Sequence, residues 1–579
     1  MLHTKFFFAV FWLILWLIST YLGLIFYITD YADVLQLEKI KYHDEIFLQH
    51  DIILQEKSYN LLVKLINILS LSTTLIVVYS FISRNRIKQE LSIIAAELGQ
   101  ILQIIFRLLL QLTKIEKATF SFILVLIVLV RIYYLKQHSF TTDEVASYDY
   151  FVTQGPLAVT SFYPFTNNHI LSNLFCLISY QFSTEPLLTM RVPTFLVSLM
   201  GTIIMYIVLI RYCGFAVATL SIGILSLSQV GIFYAIAGRG YFLLTVLTFI
   251  GFFSMLNIMY KRVRIRLYWF LYIFSSILGF YTVPTFLYPF TSTLLVGLFC
   301  FLWHRKQAEV FQLIVSSFII GWGTIILYLP LIFITGVNFI TNIEFIQPLN
   351  SNSFWFGFSP YLIYTEGWLM GQERLGKYLL LGVLMLYAVK IFYFKEKGIL
   401  LEIGLPSLGL VVIPYFLMVL QQIQVPERAL FYKEIYLYLV SSYLLFNILN
   451  ALNTKERYNI YLIGLIIILY SSYQIYHTEK ILAHVRTEER QRKETFQWLI
   501  NYKPRNVLVL NPKYALFLNH YFKAAKINCE IYTEKKEDRK YDLVILSKNK
   551  SFESASPSMV LGKKIYQNNF VQVYGLKTK

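Results

Sequence analysis

Long apolar runs separated by short polar segments dominate the first 476 residues of the chain. A helix of roughly 20 apolar residues crosses the hydrocarbon core of a membrane, which is roughly 30 Å thick. Within that core only helices and closed barrels satisfy every backbone N–H and C=O group, and these runs have the length of helices. The pattern therefore predicts an all-α polytopic membrane protein with about 13 spanning helices. The predicted spans are 6–28, 61–81, 120–135, 192–210, 216–232, 242–260, 268–281, 286–303, 313–335, 378–394, 400–420, 435–449 and 460–476.

Two segments outside these spans have patterns of their own. Residues 89–117 place apolar side chains at helical spacing, which predicts an amphipathic helix on the inner membrane surface. Residues 168–182 are apolar but short, so we expect a helix on the outer side that does not cross. The membrane part thus divides into an N-terminal extension, 1–117, with two spans and the amphipathic helix, and a transmembrane core, 118–476.

The sequence of the tail, 477–579, has the pattern of a small soluble α/β domain. A charged helical stretch leads into short apolar runs at 507–510, 529–532 and 543–546, with a helical pattern between the first two. This order predicts strand, helix, strand, strand on the extracytoplasmic side. The tail carries no GxGxxG or P-loop motif, so nucleotide binding has no support.

Composition and charge agree with a membrane protein. Hydrophobic residues make up 57% of the chain and charged residues only 15%, which excludes the soluble classes. The formal net charge of +18 does not indicate nucleic acid, because many Lys and Arg residues cluster between apolar runs, as in cytoplasmic loops. The four cysteines are scattered and indicate no disulfide framework. The predicted cytoplasmic clusters are 84–88, 261–266, 305–306, 395–397 and 455–457.

The candidate chemistry starts with an acidic doublet, Asp143 and Glu144, which follows the apolar run 120–135. Such a position at a membrane surface suggests a catalytic carboxylate. The alternative is helix capping, because Thr141 and Thr142 precede the doublet and acids are favourable at the start of a helix. The sequence leaves both interpretations open.

The predicted outer side also collects basic side chains. Arg239 lies between two glycines in a short loop, where the backbone can approach a ligand closely. Arg428 follows the span 400–420 and is a second candidate for binding an anion. Arg131 and Arg191 lie near span ends, where long basic side chains often extend toward the membrane surface, and Arg191 is a further candidate.

A metal site is the less favoured interpretation of the same region. Zinc wants about three protein ligands, and Asp143, Glu144 and His169 offer that number. Their spacing matches no metal-binding motif, and a lone histidine is more often structural. The sequence therefore assigns no cofactor, and a divalent metal stays the less favoured alternative.

The order of these motifs resembles a known family. The motifs are ThrThrAspGlu at 141–144, AsnAsnHisIleLeu at 167–171, MetArgValPro at 190–193 and AlaGlyArgGlyTyr at 237–241. Together they resemble the integral-membrane glycosyltransferases with a GT-C fold. The branch they resemble contains protein O-mannosyltransferases, aminoarabinose transferases of lipid A and rhizobial lipopolysaccharide galacturonosyltransferases. The resemblance covers roughly 120–476.

The resemblance implies a polyprenyl-phosphate sugar donor and a bacterial inner membrane protein whose active site faces the periplasm. It assigns catalysis to Asp143, with Glu144 beside it, and makes Asn168, His169 and Tyr241 candidates for binding substrate. Many relatives have an aspartate in the second outer loop, where this chain has GlyArgGlyTyr. A second catalytic carboxylate is therefore in doubt.

The chemistry suits the same residues. Displacing a lipid phosphate from an anomeric carbon needs a base for the acceptor hydroxyl and cations for the departing phosphate. We expect Asp143 to be the base and Arg239 and Arg428 to bind the phosphate, with Arg191 in reserve, and we expect inversion at the anomeric carbon. The acceptor would be a glycolipid, a polysaccharide or a protein, in contact with membrane lipids. A polysaccharide polymerase, a lipid-linked sugar flippase and a non-enzymatic scaffold are the alternatives.

Overall fold

The computed structural model describes most of the chain. The described residues are 2–38, 40, 54–82, 86–164, 167–260, 263–337, 347–372, 376–395, 398–451, 456–535, 539–548 and 561–576. Several basic residues of the predicted cytoplasmic clusters lie outside these ranges, among them Arg84, Lys261, Arg262, Lys397 and Lys455.

The membrane part is a succession of α-helices. Its first helices are α1 (Leu2–Tyr27), α2 (Tyr31–Glu38), α3 (Glu56–Ile82), α4 (Arg86–Gln111), α5 (Lys114–Gln137), α6 (Thr142–Ser147), α7 (Pro156–Ser161), α8 (Ile170–Tyr180), α9 (Pro186–Cys213) and α10 (Phe215–Leu227). They are followed by α11 (Gln229–Ile236), α12 (Tyr241–Tyr260), α13 (Ile265–Thr282), α14 (Leu287–Trp303), α15 (Gln307–Ile334), α16 (Ser351–Leu369), α17 (Gly376–Phe392), α18 (Leu405–Gln421), α19 (Glu434–Ala451) and α20 (Glu456–Tyr502). Short π-helices (Tyr148–Val152 and Leu400–Gly404) and 3-10 helices (Pro284–Phe286 and Glu427–Lys433) lie between them.

Length and composition confirm a multi-pass membrane protein. Ten helices in the described part are long and apolar enough to cross a membrane, or eleven if the bent pair α10–α11 counts as one span. The sequence predicted about 13. Nine of the predicted spans are among the ten, and a tenth is the bent pair. The other three, at α13, α17 and α19, form as helices but are not among the ten, whereas α4, which was not predicted as a span, is. The short helix α8 has 11 residues, too few to cross, as expected.

The predicted amphipathic helix at 89–117 is divided into two helices. Thr113 and Glu116 form a capping box, in which the Thr113 side chain accepts from Glu116 N–H and the Glu116 side chain accepts from Thr113 N–H. The apolar pattern of the sequence continues past Thr113, but this cap begins a new helix, α5, and α4 ends at Gln111. By length and composition α4 is also one of the ten possible spans.

The predicted straight span 216–232 is a bent pair. Its two helices, α10 and α11, meet at an angle of 70°. At the bend Ser228 has an extended backbone, and its Oγ accepts a hydrogen bond from Gly231 N–H at 3.0 Å. The serine thus caps a new helix instead of continuing the old one. The bend directs α11 toward the loop that contains Arg239.

The N-terminal extension packs directly on the core. Helix α1 contacts α15, and the Tyr21 hydroxyl hydrogen-bonds that of Tyr281 on α13 at 2.8 Å. Near the start of α1, the Phe7 ring meets Trp269 edge-on at 5.5 Å. Buried residues of both parts belong to one continuous hydrophobic cluster. The proposed boundary at 117/118 falls in the first turns of α5.

The tail is attached through one long helix. Helix α20 has 47 residues and is roughly 70 Å long, so the predicted boundary at 476/477 lies inside it. No Gly or Pro interrupts 477–502, which explains why the helix continues out of the apolar part. Helix α21 (Pro512–Ala524) then packs on both α20 and α6.

The predicted α/β architecture of the tail is confirmed, with two strands that the sequence analysis missed. The sheet order is β2-β1-β3-β5-β4, in which β1 is parallel to β2 and β3, while β5 is antiparallel to β3 and β4. The missed strands are β4 and β5, whose alternating Lys, Tyr and Gln residues weaken the apolar signal. The strands are β1 (Asn506–Val509), β2 (Glu530–Tyr532), β3 (Leu543–Ser547), β4 (Leu561–Gln567) and β5 (Val571–Leu576).

Candidate active site

Glu144 and Arg191 form a fully buried ion pair between α6 and α9. Arg191 Nε donates to Glu144 Oε1 at 2.8 Å and Arg191 Nη2 donates to Oε2 at 2.9 Å, a two-point contact. The other N–H groups of Arg191 donate to the carbonyls of Leu135, His138 and Ser139. All five N–H groups are thus used inside the protein, and this conformation leaves none for the phosphate contact predicted for Arg191.

The acidic doublet divides into two residues with different surroundings. Glu144 forms a capping box with Thr141: Glu144 N–H donates to Thr141 Oγ1 at 3.2 Å, and Thr141 N–H donates to Glu144 Oε2 at 2.9 Å. Gly238 N–H, from the loop after α11, donates to Glu144 Oε1 at 2.9 Å. The capping interpretation therefore applies to Glu144, which ties α6 to two other elements.

The Glu144 carboxylate stays ionised in this setting. Burial alone would raise the pKa of Glu144, but the Arg191 guanidinium and the N–H groups of Gly238 and Thr141 stabilise the charged form and lower the pKa to about 2. A carboxylate with such a pKa, enclosed by donors, is a poor proton acceptor near neutral pH.

Asp143 lies between two arginines at the open side of the same helix. Its Oδ2 is 3.5 Å from Arg239 Nη2 and 3.8 Å from Arg428 Nη1. The side chains of Asp143 and Arg428 are 39% and 40% exposed, whereas that of Arg239 is 3% exposed. Both separations exceed an ordinary hydrogen bond, so a ligand oxygen can compete for the arginine N–H groups.

A buried ion pair anchors the segment that contains Arg428. The 3-10 helix Glu427–Lys433 ends at Lys433, whose Nζ donates to Glu366 Oε1 of α16 at 2.5 Å. Neither side chain is more than 1% exposed, and the Tyr415 hydroxyl also donates to Glu366. The sequence analysis missed this pair, because nothing in the pattern indicates that residues 67 positions apart meet.

Arg239 is held from behind by polar groups. Its Nη1 donates to the Asn167 carbonyl at 3.1 Å and to Asn167 Oδ1, and lies 3.4 Å from Ser147 Oγ. Asn167 Nδ2 in turn donates to the backbone carbonyl of Asp143 at 2.9 Å. The Nε atom of Arg239 is buried with no hydrogen-bond partner among the residues that the structure describes. Ser147 is therefore a site residue that the sequence analysis did not select. Asn167 belongs to the AsnAsnHis motif, but the sequence analysis gave it no role.

The glycines on either side of Arg239 allow close contact with the protein itself. A Cβ on Gly238 would lie 2.7 Å from Met190 Cβ, and a Cβ on Gly240 would lie 2.6 Å from Thr282 Cγ2 and 2.9 Å from His169 Nδ1. The close approach expected toward a ligand is thus an approach to neighbouring elements. It fixes the loop against α9, α13 and His169.

His169 and Tyr241 form the inner wall beside Arg239. His169 Nε2 lies 3.0 Å from Arg239 Nη2, and His169 Nδ1 lies 3.0 Å from the backbone N of Gly240. Burial, with the charges of Arg239 and Arg428, lowers the pKa of His169 well below its ordinary value, so the imidazole is neutral. A neutral imidazole accepts at only one nitrogen, so one of the two contacts is not a hydrogen bond. The Tyr241 ring packs edge-on to His169 at 4.7 Å.

Asn168 is turned away from this group. Its Nδ2 donates to the carbonyls of Val159 and Phe162 at 2.8 and 2.9 Å, and its Oδ1 accepts from Asn173 Nδ2 at 2.9 Å. The side chain is 1% exposed. These contacts join the end of α7 to the start of α8, which assigns Asn168 a structural role in place of the substrate contact predicted for it.

Arg131 and Arg191 do not extend to the membrane surface as expected for span ends. Both are fully buried. Arg131 donates to Ser198 Oγ at 3.1 Å and to Thr202 Oγ1 at 3.0 Å, both on α9. Small hydroxyl residues on the facing helix accept the guanidinium, a pattern that hydropathy alone does not reveal.

The three side chains considered for a metal do not combine into a site. Glu144 is committed to Arg191, while His169 and Asp143 both face Arg239. Within the described ranges, no three His, Cys, Asp or Glu side chains are grouped so that they could hold a metal ion. The positive charge of the neighbouring arginines opposes a second cation in the same place.

Comparison with known proteins settles the fold. No family model and no curated protein matches the chain. The crystal structure of ArnT from Cupriavidus metallidurans in the apo state aligns with a TM-score of 0.52 at 12% identity, over 79% of this chain and 98% of that one. The chain has the GT-C fold. A second structure, ArnT from the same organism bound to undecaprenyl phosphate, aligns with a TM-score of 0.48 at 11% identity, over 78% of this chain and 97% of that one. In this GT-C chain, α6 with its acidic doublet directly follows α5, the first helix of the proposed core.

Proposed function

We propose that the protein is a glycosyltransferase that moves a sugar from a polyprenyl-phosphate donor to an acceptor hydroxyl, with inversion. The observation that carries this proposal is the position of Asp143, a partly exposed carboxylate between two arginines. A carboxylate beside paired cations suits a reaction in which one group takes a proton while an anionic phosphate departs. The GT-C fold and the family motifs support the same reaction class.

In the proposed step, Asp143 accepts the proton of the acceptor hydroxyl as its oxygen forms a bond to the anomeric carbon. The bond from that carbon to the phosphate oxygen breaks, and its electron pair remains on the phosphate. Arg428, which is open to solvent, and Arg239 behind it bind the departing phosphate oxygens. Attack opposite the leaving group inverts the anomeric configuration.

The buried residues have supporting roles in this proposal. Glu144 and Arg191 hold α6 so that Asp143 faces the opening, in place of the catalytic and phosphate contacts first expected of them. His169 and Tyr241 pack beside Arg239 and are proposed to border the place of the sugar. The exposed mouth between Asp143 and Arg428 admits the acceptor.

Enzyme assay and cell lipid analysis together test this function. Purified protein in lipid vesicles should release polyprenyl phosphate from a synthetic polyprenyl-phosphate sugar when acceptor is present. A strain lacking the gene should accumulate the sugar-bearing donor and an undecorated glycolipid or polysaccharide. A flippase would leave the donor intact, and a polymerase would add many sugars to one acceptor. Either result would replace the single-sugar transferase proposed here.

Arg428→Ala and Arg239→Ala should each weaken binding of polyprenyl phosphate by roughly 10- to 100-fold, the usual scale for a lost charged hydrogen bond. Lysine should restore binding only in part, because it lacks the planar fork of arginine. Arg490→Ala is the matched control, since Arg490 is an arginine on α20 with a side chain that is 71% exposed. Unchanged affinity in both site variants, measured by calorimetry, would assign these arginines to structure instead.

We propose that the site faces the periplasm of a bacterial inner membrane, on the basis of the alternating basic clusters. With Cys529→Ser as background, a cysteine at Gln154 should react with an impermeant thiol reagent from outside. A cysteine at Arg305 should react only after the membrane is opened. Reversed labelling of the two positions would invert the proposed orientation.

A further inference from the structure

A polar contact joins the tail to the helical segment that follows the acidic doublet. His520 of α21 places its Nδ1 3.0 Å from Asp149 Oδ1 and 3.1 Å from Asp149 Oδ2. The two side chains are 9% and 6% exposed. Asp149 belongs to the π-helix Tyr148–Val152, which continues α6 without a break. The pair thus joins parts of the chain that are 371 positions apart.

Asp149 depends on the tail for its partner. Among the described residues, His520 is the only side chain that hydrogen-bonds the Asp149 carboxylate. The rings of Phe140 and Tyr148 lie 5.9 and 6.0 Å from the His520 ring and help to exclude water. A buried carboxylate is costly unless it is paired. Without the tail, Asp149 would therefore have to move toward solvent and shift the segment around it.

That segment is the one that contains Asp143. Thr142–Ser147 and Tyr148–Val152 form one continuous helical segment, with a π-turn closed by Thr153 N–H to the Tyr148 carbonyl at 3.0 Å. Asp143 is six residues before Asp149, roughly 9 Å along the helix. The segment is thus fixed near its start by Glu144 and Arg191 and near its end by Asp149 and His520.

The tail is a firm support for this contact because α21 is itself packed on α20. The ring of Phe522 meets that of Phe496 edge-on at 5.1 Å, and the Arg492 guanidinium lies 3.7 Å from the Phe517 ring centre. Lys523 adds a second contact to the π-helix, with its Nζ 5.2 Å from the centre of the Tyr150 ring. Since α20 is continuous with a membrane span, His520 is held relative to the core.

We propose that His520 is a positioning residue for sugar transfer: through Asp149 it holds the helical segment that places Asp143. This inference rests on the proposed function. It gives the tail a role in the rate of the reaction, separate from any contact with the acceptor. Small displacements of a reacting group reduce rates steeply, so the contact acts on turnover and leaves binding of the donor phosphate to Arg428 and Arg239 in place.

The test compares kcat, donor KM and polyprenyl-phosphate affinity in His520 variants of the full-length protein. His520→Ala should lower kcat roughly 10-fold or more with donor affinity unchanged. His520→Asn should restore most of the rate, because the asparagine amide can donate from the position of Nδ1. Asp149→Ala should match His520→Ala, and the double variant should be no worse than either alone.

His484→Ala is the control. His484 lies on α20, and its ring is 5.9 Å from the ring of Phe570 in the tail. The His484→Ala enzyme should have a normal kcat. Normal kcat in His520→Ala, or a rate that His520→Asn does not restore, would overturn the proposal. A wild-type protein that does not act on polyprenyl-phosphate sugar would instead refute the proposed function. In that case, the Asp149–His520 coupling would still be measurable from the thermal stability of the four-member cycle.

Discussion

Asp143→Asn is expected to lower the rate of sugar transfer by a factor of at least about 100, the usual scale for removing a general base. Asparagine keeps the shape of the side chain but cannot take the acceptor proton. Donor binding should persist, because Arg239 and Arg428 remain and lose a competing carboxylate. The measurement is single-turnover transfer from a polyprenyl-phosphate sugar by purified protein, alongside binding of polyprenyl phosphate.

Glu185→Gln is a matched control for this change. Glu185 is an exposed carboxylate that accepts a hydrogen bond from Leu188 N–H at the start of α9, away from the two arginines. This variant should transfer sugar at the normal rate. Near-normal turnover by the Asp143 variant would show that another group takes the proton, and the mechanism proposed here would fail.

Breaking the Glu144–Arg191 pair should give the largest loss of stability. Arg191→Leu leaves Glu144 buried and unpaired, and removal of one partner of a buried pair costs about 3–5 kcal/mol of unfolding free energy. Glu144→Gln should cost less, because the amide oxygen can still accept hydrogen bonds. Thermal unfolding in detergent, followed by intrinsic fluorescence, measures both variants.

The exposed pair of Arg490 and Glu494 is the control for this experiment, because its loss should change stability by about 1 kcal/mol or less. The double variant Glu144→Gln with Arg191→Met should be more stable than Arg191→Leu, since no buried charge remains. A melting temperature of Arg191→Leu equal to that of the wild type would contradict the structural role assigned to this pair.

The Glu144–Arg191 pair also makes the stability of the folded protein depend on pH. The folded protein depresses the pKa of Glu144 to about 2, so the stabilisation is complete above the ordinary carboxyl pKa and is lost as pH falls toward 2. Glu144 therefore does not titrate between pH 5 and 8. A limb in the pH–rate profile within that range would arise from another group.

The general architecture could be predicted from the sequence because it depends on local patterns. Apolar runs of helical length indicate a membrane bundle, and alternation of short apolar runs indicates the α/β tail. The motifs around Asp143, His169 and Arg239, which the sequence analysis placed on the same side of the membrane, lie together in the structure. These signals require no knowledge of which elements touch.

The roles of individual residues could not be predicted because they depend on distant partners. Asp143 and Glu144 are adjacent and chemically alike, yet only Glu144 meets Arg191, 47 residues away. Asn167 and Asn168 are also adjacent, yet one holds Arg239 and the other joins α7 to α8. In a helix, neighbouring residues point about 100° apart, so their environments are decided by packing.

Because helix α20 is unbroken, the number of residues in it determines the direction in which the tail faces. Each residue of an α-helix adds a rotation of roughly 100° and a rise of roughly 1.5 Å. One residue inserted before Phe496 would swing the sheet about the helix axis and carry α21 away from the core. A seven-residue insertion would nearly restore the direction but raise the tail by roughly 10 Å. A chimera that exchanges this tail must therefore be spliced in register, with the residue count of the helix conserved.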